Sequence, residues 1–283
     1  MNFAVLNSDL SYWQKQTKPL FPDLAWNIPE QKTGNLAIIG GNSQTFSTVV
    51  RISEYASRNF PFSSVKTYLP DALRGKLPTL TNLEFLPSTA SGSFTKSFQL
   101  NTYISRADTT LIIGDLSKNS ATAIALADAI SEESANSDSS TPNSESSNPK
   151  PLVITRDSVD LLAPEAGSWL MRKSTFIVAS MAQLQKLFRA VYYPRMILLS
   201  QPLIPVLETL HKFTLTYPVA IVTFQEENII VAHGGNITTT KLIDTSYSPL
   251  TLWSGQLATN ILAFNLYTPH QPLEATTAAL LYK

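Results

Sequence analysis

The sequence predicts an α/β fold: a mainly parallel central sheet with helices on both faces. Three observations carry this expectation. Short, continuous apolar runs recur along the chain, among them Leu36-Ala37-Ile38-Ile39, Leu111-Ile112-Ile113, Phe176-Ile177-Val178 and Val219-Ala220-Ile221-Val222. Strands buried on both faces of a parallel sheet read this way, without the alternation of a half-exposed strand. The first two runs end at glycine turns and lead into stretches of helical spacing, which is the rhythm of βα units. Size agrees, since 283 residues with 43% hydrophobic content can bury a sizeable core. Length alone leaves one large domain or two small ones open.

Composition removes several classes. Lys+Arg and Asp+Glu each number 21, so no basic excess draws a nucleic-acid backbone. Without cysteine, disulfides and thiolate metal sites are impossible, and no redox compartment follows. Asn7, Asp9 and Ser11 interrupt the apolar Phe3-Ala4-Val5-Leu6, which does not suit a signal peptide. No stretch approaches the about 18 apolar residues of a membrane span. A cytoplasmic location and no membrane partner are the default expectations.

Residues 7–33 place Pro19, Pro22 and Pro29 among Trp13, Phe21, Leu24 and Trp26. They read as an irregular arm held to the core by its aromatics, with a partner-binding arm as the alternative. Leu36-Ala37-Ile38-Ile39 is the first core strand, closed by Gly40-Gly41-Asn42-Ser43 and followed by a helix over 46–55. Those glycines permit positive φ and close approach of backbone to a ligand. The turn is therefore either a phosphate or sugar site or a plain structural turn. It is not the dinucleotide fingerprint, because no third glycine follows at the required spacing. A second strand spans 64–69 and stops at Pro70-Asp71, and residues 72–101 are turn-rich and give no element. Residues 109–113 form the third strand, broken by Gly114-Asp115-Leu116. Asp115 puts a carboxylate at the strand's C-terminal end, where ligands of open parallel sheets collect. As a turn residue it would instead bond its own backbone. Asn119-Ser120 caps the next helix, with Ile124, Ala127 and Ile130 on one side.

Residues 131–150 are a low-complexity tract with eight serines, made acidic by Glu132, Glu133, Asp138 and Glu145. The tract holds too little apolar area to offset the cost of ordering it, so it reads as a surface loop. The βα rhythm continues unchanged beyond it, which favours one domain over residues 1–283. Strands follow at 151–155 and 176–178, and helices at 181–188 and 203–213, with Pro205 tolerated in a first turn. Residues 219–224 form a strand, 228–231 with Gly234-Gly235 suggest a hairpin, and 272–282 form a closing helix.

The segment Leu252-Trp253-Ser254-Gly255-Gln256-Leu257-Ala258-Thr259-Asn260 reads as a tight turn feeding a long apolar helix. Ser254 is the expected cap. Unpaired N–H groups and a positive dipole end at such a start suit an anion, though an ordinary buried helix has the same look. This segment resembles the anion-hole motif of ribokinase-like small-molecule kinases, and especially of the ADP-dependent NAD(P)H-hydrate dehydratases. Their turn reads Gly-Thr-Gly-Asp; here Ser254 and Gly255 fit, and Gln256 stands at the catalytic aspartate. The Gly40-Gly41 turn is similar to the family's, and Gly114 and Leu116 survive from its Gly-Pro-Gly-Leu-Gly, with Asp115 replacing a proline. In the run from Val153 to Leu162, Asp157 holds the second of two family aspartates and Thr155 has lost the first. Ser180 and Gln183 fall where the family has histidine and glutamate, and Thr223-Phe224 where it has Lys-Gly.

The resemblance implies a ribokinase-like, three-layer α/β/α fold that binds a nucleotide or phosphorylated metabolite, with ADP or ATP, and Mg²⁺ beside it, as cofactors. The implied anion site comprises Gly40, Gly41, Asn42, Ser43, Gly114, Ser254 and Gly255, with Gln256, Asp115 and Asp157 in catalytic positions. Glutamine takes no proton at neutral pH, and losing a positioned general base costs about 10²–10⁴-fold in rate. Backbone N–H groups survive that change, so binding is expected to outlast turnover. The chain is then a dehydratase-like lyase or small-molecule kinase working through Asp115 or Asp157, or a pseudoenzyme that binds a ligand or partner. A homo-oligomer stays open. Other chemistries find little support. His211, His233 and His270 lack second ligands at metal-binding spacing. Neither a Gly-x-Ser-x-Gly elbow nor a P-loop occurs. Nothing fixes the separation of Asp115 and Asp157 for glycoside hydrolysis.

Overall fold

The computed structural model describes residues 10–16, 29, 31–77, 82–138, 150–245, 247–248 and 254–282. Its strands are β1 (Trp13–Gln16), β2 (Asn35–Gly40), β3 (Ser64–Pro70), β4 (Leu83–Leu86), β5 (Thr109–Gly114), β6 (Leu152–Thr155), β7 (Thr175–Val178), β8 (Val219–Gln225), β9 (Asn228–His233) and β10 (Asn236–Lys241). The helices are α1 (Ser47–Asn59), α2 (Phe98–Arg106), α3 (Ser120–Asp138), α4 (Asp157–Leu162), α5 (Ala166–Trp169), α6 (Met181–Ala190), α7 (Leu203–Thr216), α8 (Gln256–Tyr267) and α9 (Pro272–Ala279).

All described strands join one sheet in the order β1-β10-β9-β8-β7-β6-β5-β2-β3-β4. From β8 to β4 every pairing is parallel, while β9 runs antiparallel to β8 and β10. Side chains alternate across the strands, so each apolar run feeds two cores. Ala37, Ile39, Ile112, Ile154 and Ile177 pack on one face beneath helices α2 to α7, around Trp169, Phe188 and Phe213. Leu36, Ile38, Leu111, Ile113 and Val153 pack on the other beneath α1, α8 and α9. The expected mainly parallel, three-layer architecture is what the molecule has.

Helix α8 is buried over Leu257–Asn265, so its polar side chains need partners inside the protein. Thr259 Oγ1 donates to the Gly255 carbonyl at 3.0 Å. Asn260, 1% exposed, accepts from Tyr55 at 2.9 Å and donates to the Tyr247 hydroxyl at 2.7 Å. Burial raises the Tyr247 phenol above its ordinary range. Asn260 thus joins α8 to α1 and to the segment ahead of it.

Three elements differ from expectation. The N-terminal arm is not wholly irregular: Trp13–Gln16 pairs with β10 as a parallel edge strand. Trp13 Nε1 donates to Thr239 Oγ1 at 3.0 Å, and Tyr12 stacks on His211 with ring centroids 3.9 Å apart. Phe21, Leu24 and Trp26 lie outside the described residues. Helix α3 continues to Asp138, into the tract expected as a loop; extending an established helix is far easier than nucleating one. Residues 139–149 lie outside the described residues. Within 72–101, which offered no element, the short β4 forms and α2 begins, capped by Ser97 Oγ on the Leu100 amide at 3.2 Å. No helix among the described residues is long and apolar enough to cross a membrane.

Asn260→Ala orphans the hydroxyls of Tyr55 and Tyr247. The expected loss is about 1–3 kcal/mol for each left buried and unsatisfied, read as a lowered urea midpoint, with a smaller loss for Tyr55→Phe. His233, at the end of β9, has its pKa held below 6.5 by burial, with Glu274 opposing. The fold therefore favours the neutral ring. Its contribution is complete above pH 6.5 and is lost as pH falls through the depressed value. Melting temperature is expected to drop more steeply with acidification in the native chain than in His233→Gln.

Candidate functional site

The chain runs outward from β2 to β3 and β4 on one side, then from β5 to β6, β7 and β8 on the other. The reversal lies between β2 and β5, and ligands of open parallel sheets bind outside the strand ends at such a point. Backbones approach closely here. Gly40 pairs with Gly114 across a bulge, and the Gly41 amide donates to the Gly114 carbonyl at 3.0 Å. A Cβ on Gly40 would lie 2.6 Å from that carbonyl oxygen, and one on Gly114, whose φ is +98°, 2.1 Å from Asp157 Oδ1. Side chains have no room at either place.

Above these glycines opens a cleft of about 610 Å³, lined by Asn42 to Thr45, Ser91, Asp115 to Lys118, Arg156 and Asp157. Asn42 organises one wall: its Oδ1 accepts from the Gln44 and Thr45 amides at 2.8 and 3.0 Å, and its Nδ2 donates to the Asp115 carbonyl at 2.7 Å. Asp157 organises the opposite wall, its Oδ1 accepting from the Asp115 amide at 2.9 Å. Asp115 Oδ1 pairs with Arg156 Nη2 at 3.1 Å. Ser43 and Ser117 both donate to the Ser91 carbonyl, at 2.9 and 3.3 Å. The lining is hydroxyls, amides, two carboxylates and two cations, with Leu116 as its one apolar member.

Of the residues expected at the site, Asn42, Ser43, Asp115 and Asp157 line this cleft, and Gly40, Gly41 and Gly114 form the buried backbone beneath it. Ser254, Gly255 and Gln256 do not line it. Gly255 is the N-cap of α8 at φ +97°. A Cβ there would meet Ile113 Cδ1 at 2.5 Å and Ile52 Cγ1 at 3.0 Å. This glycine seats α8 onto β5 and α1. Ser254, expected as the cap, is one residue too early, though its Oγ accepts from the Gln256 amide at 3.3 Å. Residues 249–253, just before it, lie outside the described residues.

Sequence reasoning missed Gln44, Thr45, Ser91, Ser117, Lys118 and Arg156. The Gly92 turn brings Ser91 in, since a Cβ on Gly92 would lie 2.4 Å from the Ser43 amide; the Ser91-Gly92-Ser93 triplet was its faint signal. Arg156 was visible as the cation beside Asp157. Ser180 and Gln183 form the capping box of α6. Gln183 Nε2 also reaches the Arg156 carbonyl at 2.6 Å and Asp160 Oδ2 at 2.8 Å. Thr155 is buried and donates to the Val178 carbonyl at 3.2 Å. His211 bonds the Gly235 carbonyl. Among the described residues no three His, Asp or Glu side chains converge on a metal position.

A solved structure of a ribokinase-like superfamily protein from Enterococcus faecalis V583 overlays on 96% of this chain and 87% of its own, with a TM-score of 0.59 at 14% identity. The fold is ribokinase-like. An ADP complex of Bacillus subtilis pyridoxal kinase overlays at TM-score 0.48 and 14% identity, on 87% of this chain and 89% of its own. Adenosine kinase from Anopheles gambiae, in complex with P1,P4-di(adenosine-5) tetraphosphate, gives 0.46 and 10% over 92% of this chain and 74% of its own. No protein-family model and no curated protein matches the sequence.

Gly114→Ala forces a side chain into positive φ and against Asp157. The expected cost is about 1–3 kcal/mol, seen as a lower urea midpoint.

Proposed function

We propose that the chain binds a nucleotide or phosphorylated metabolite, with ADP or ATP as the first candidates, in the cleft over Gly40 and Gly114. The observation that carries this reading is the polar cleft at the point where strand order reverses, with Arg156 and Lys118 in its wall. Guanidinium and ammonium groups among short hydroxyl and amide side chains suit phosphoryl oxygens. Asp115 and Asp157 are the acids available to Mg²⁺, which is typically held by one or two carboxylates together with substrate phosphates. Two carboxylates fit that mode and no all-protein cage. Ser254, Gly255 and Gln256 are not part of this lining.

A relation to the ADP- or ATP-dependent NAD(P)H-hydrate dehydratases stays within this reading. The form of it that the side chains favour is binding without that chemistry. Gln256 replaces the acid, and the positions of histidine and glutamate now hold a helix cap. Residual lyase or kinase turnover would have to pass through Asp115 or Asp157.

In a thermal-shift series, ADP or ATP with Mg²⁺ is expected to raise the melting temperature; ligand at about 100 times its Kd adds about 2.7 kcal/mol. A shift absent for every nucleotide and phosphorylated metabolite would remove the proposal. Incubation with ADP and hydrated NADH is expected to give no recovery of absorbance above the uncatalysed rate; recovery would favour the enzyme.

A further inference from the structure

Arg156 occupies φ +58° and ψ −142°, a region nearly confined to glycine, so an arginine there is under strain. The surroundings hold it: its carbonyl accepts from Gln183 Nε2 at 2.6 Å and from the Val159 amide at 3.2 Å. Its guanidinium is poorly satisfied in return. Among the described residues Nη2 makes a single contact, to Asp115 Oδ1 at 3.1 Å, and Nε is buried without a partner. Pairs of arginine with carboxylate or phosphate are frequently two-pronged, since the guanidinium fork matches their oxygens in pairs. Asp115 is itself at φ +55°. Arg156 is thus kept in a costly backbone state, beside an Asp115 at a positive φ that aspartate tolerates, with the pair at the wall of a polar cleft.

We infer that Arg156 is the anchor for an anionic group, phosphoryl in the first instance, and that Asp115 is the internal anion occupying it until the ligand arrives. The inference rests on the reading of the cleft as a ligand site and assigns the two residues within it. Asp115 then acts as a competitor whose removal improves binding, not as the stand-in for a lost catalytic acid. The incoming oxygens take the Nη2 donor from Asp115 at the part of the guanidinium that faces the cleft. Strain at Arg156 is kept for this purpose: glycine would suit the backbone better but would bring no cation.

Two variants of the full chain test this, with pyrophosphate and ADP titrated calorimetrically without Mg²⁺. Arg156→Gly relieves the backbone and removes the anchor, so its melting temperature should hold or rise while pyrophosphate affinity falls about tenfold or more. Asp115→Asn keeps a side chain tolerated at positive φ and removes the competing charge, so pyrophosphate should bind about tenfold tighter. Unchanged affinity in Arg156→Gly, or no gain in Asp115→Asn, overturns the inference. A native chain that binds ADP while neither variant moves pyrophosphate affinity keeps the cleft and loses this assignment. If neither the native chain nor Asp115→Asn binds ADP or pyrophosphate, the reading of the cleft falls with it.

Discussion

The contact that everything near the cleft depends on has no side chains in it. Gly40 and Gly114 let the ends of β2 and β5 come within backbone contact, and the Gly41 amide and Gly114 carbonyl close the gap. Because β2 and β5 diverge into opposite halves of the sheet, their turns become facing walls instead of neighbouring loops. Asn42 and Asp157 then bond across, one to the Asp115 carbonyl and one to its amide. Polar side chains on short, held turns are what a preorganised binding surface requires.

The fold was legible because buried parallel strands must be apolar on both faces, and β2, β5, β6, β7 and β8 obey that rule in sequence. What escaped was stabilised from a distance. Leu83–Leu86 is too short to show a period, and Trp13–Gln16 is a strand because β10 offers it an edge. The cleft was half legible. Asn42, Asp115 and Asp157 stand at strand ends where a reader would look. Ser91 comes from a segment whose place is set by Ser43 and Ser117, far off in sequence. Gly255 shows the limit from the other side. A glycine needed for contact with a ligand and one needed for contact with Ile113 look the same in a string of letters.

Three residues behind the cleft hold backbone groups in place. Ser180 and Gln183 start α6, Gln183 steadies the Arg156 backbone, and Thr155 ties β6 to β7. Their hydrogen bonds satisfy backbone groups that would otherwise be orphaned. Replacing one of them by an acid or an imidazole would therefore disturb a cap or a sheet bond.

The short strand β1 has a meaning beyond its four residues. β10 presents Thr238, Thr239 and Thr240 in a row, a β-favouring stretch whose outer amides and carbonyls are taken up by Trp13–Gln16. A chain trimmed ahead of residue 17 would carry that ladder open to solvent. It would then be a template on which a second molecule could zip. Trp13–Gln16 exchanges that six-residue ladder for an edge only four residues long, which leaves a neighbour less to grip.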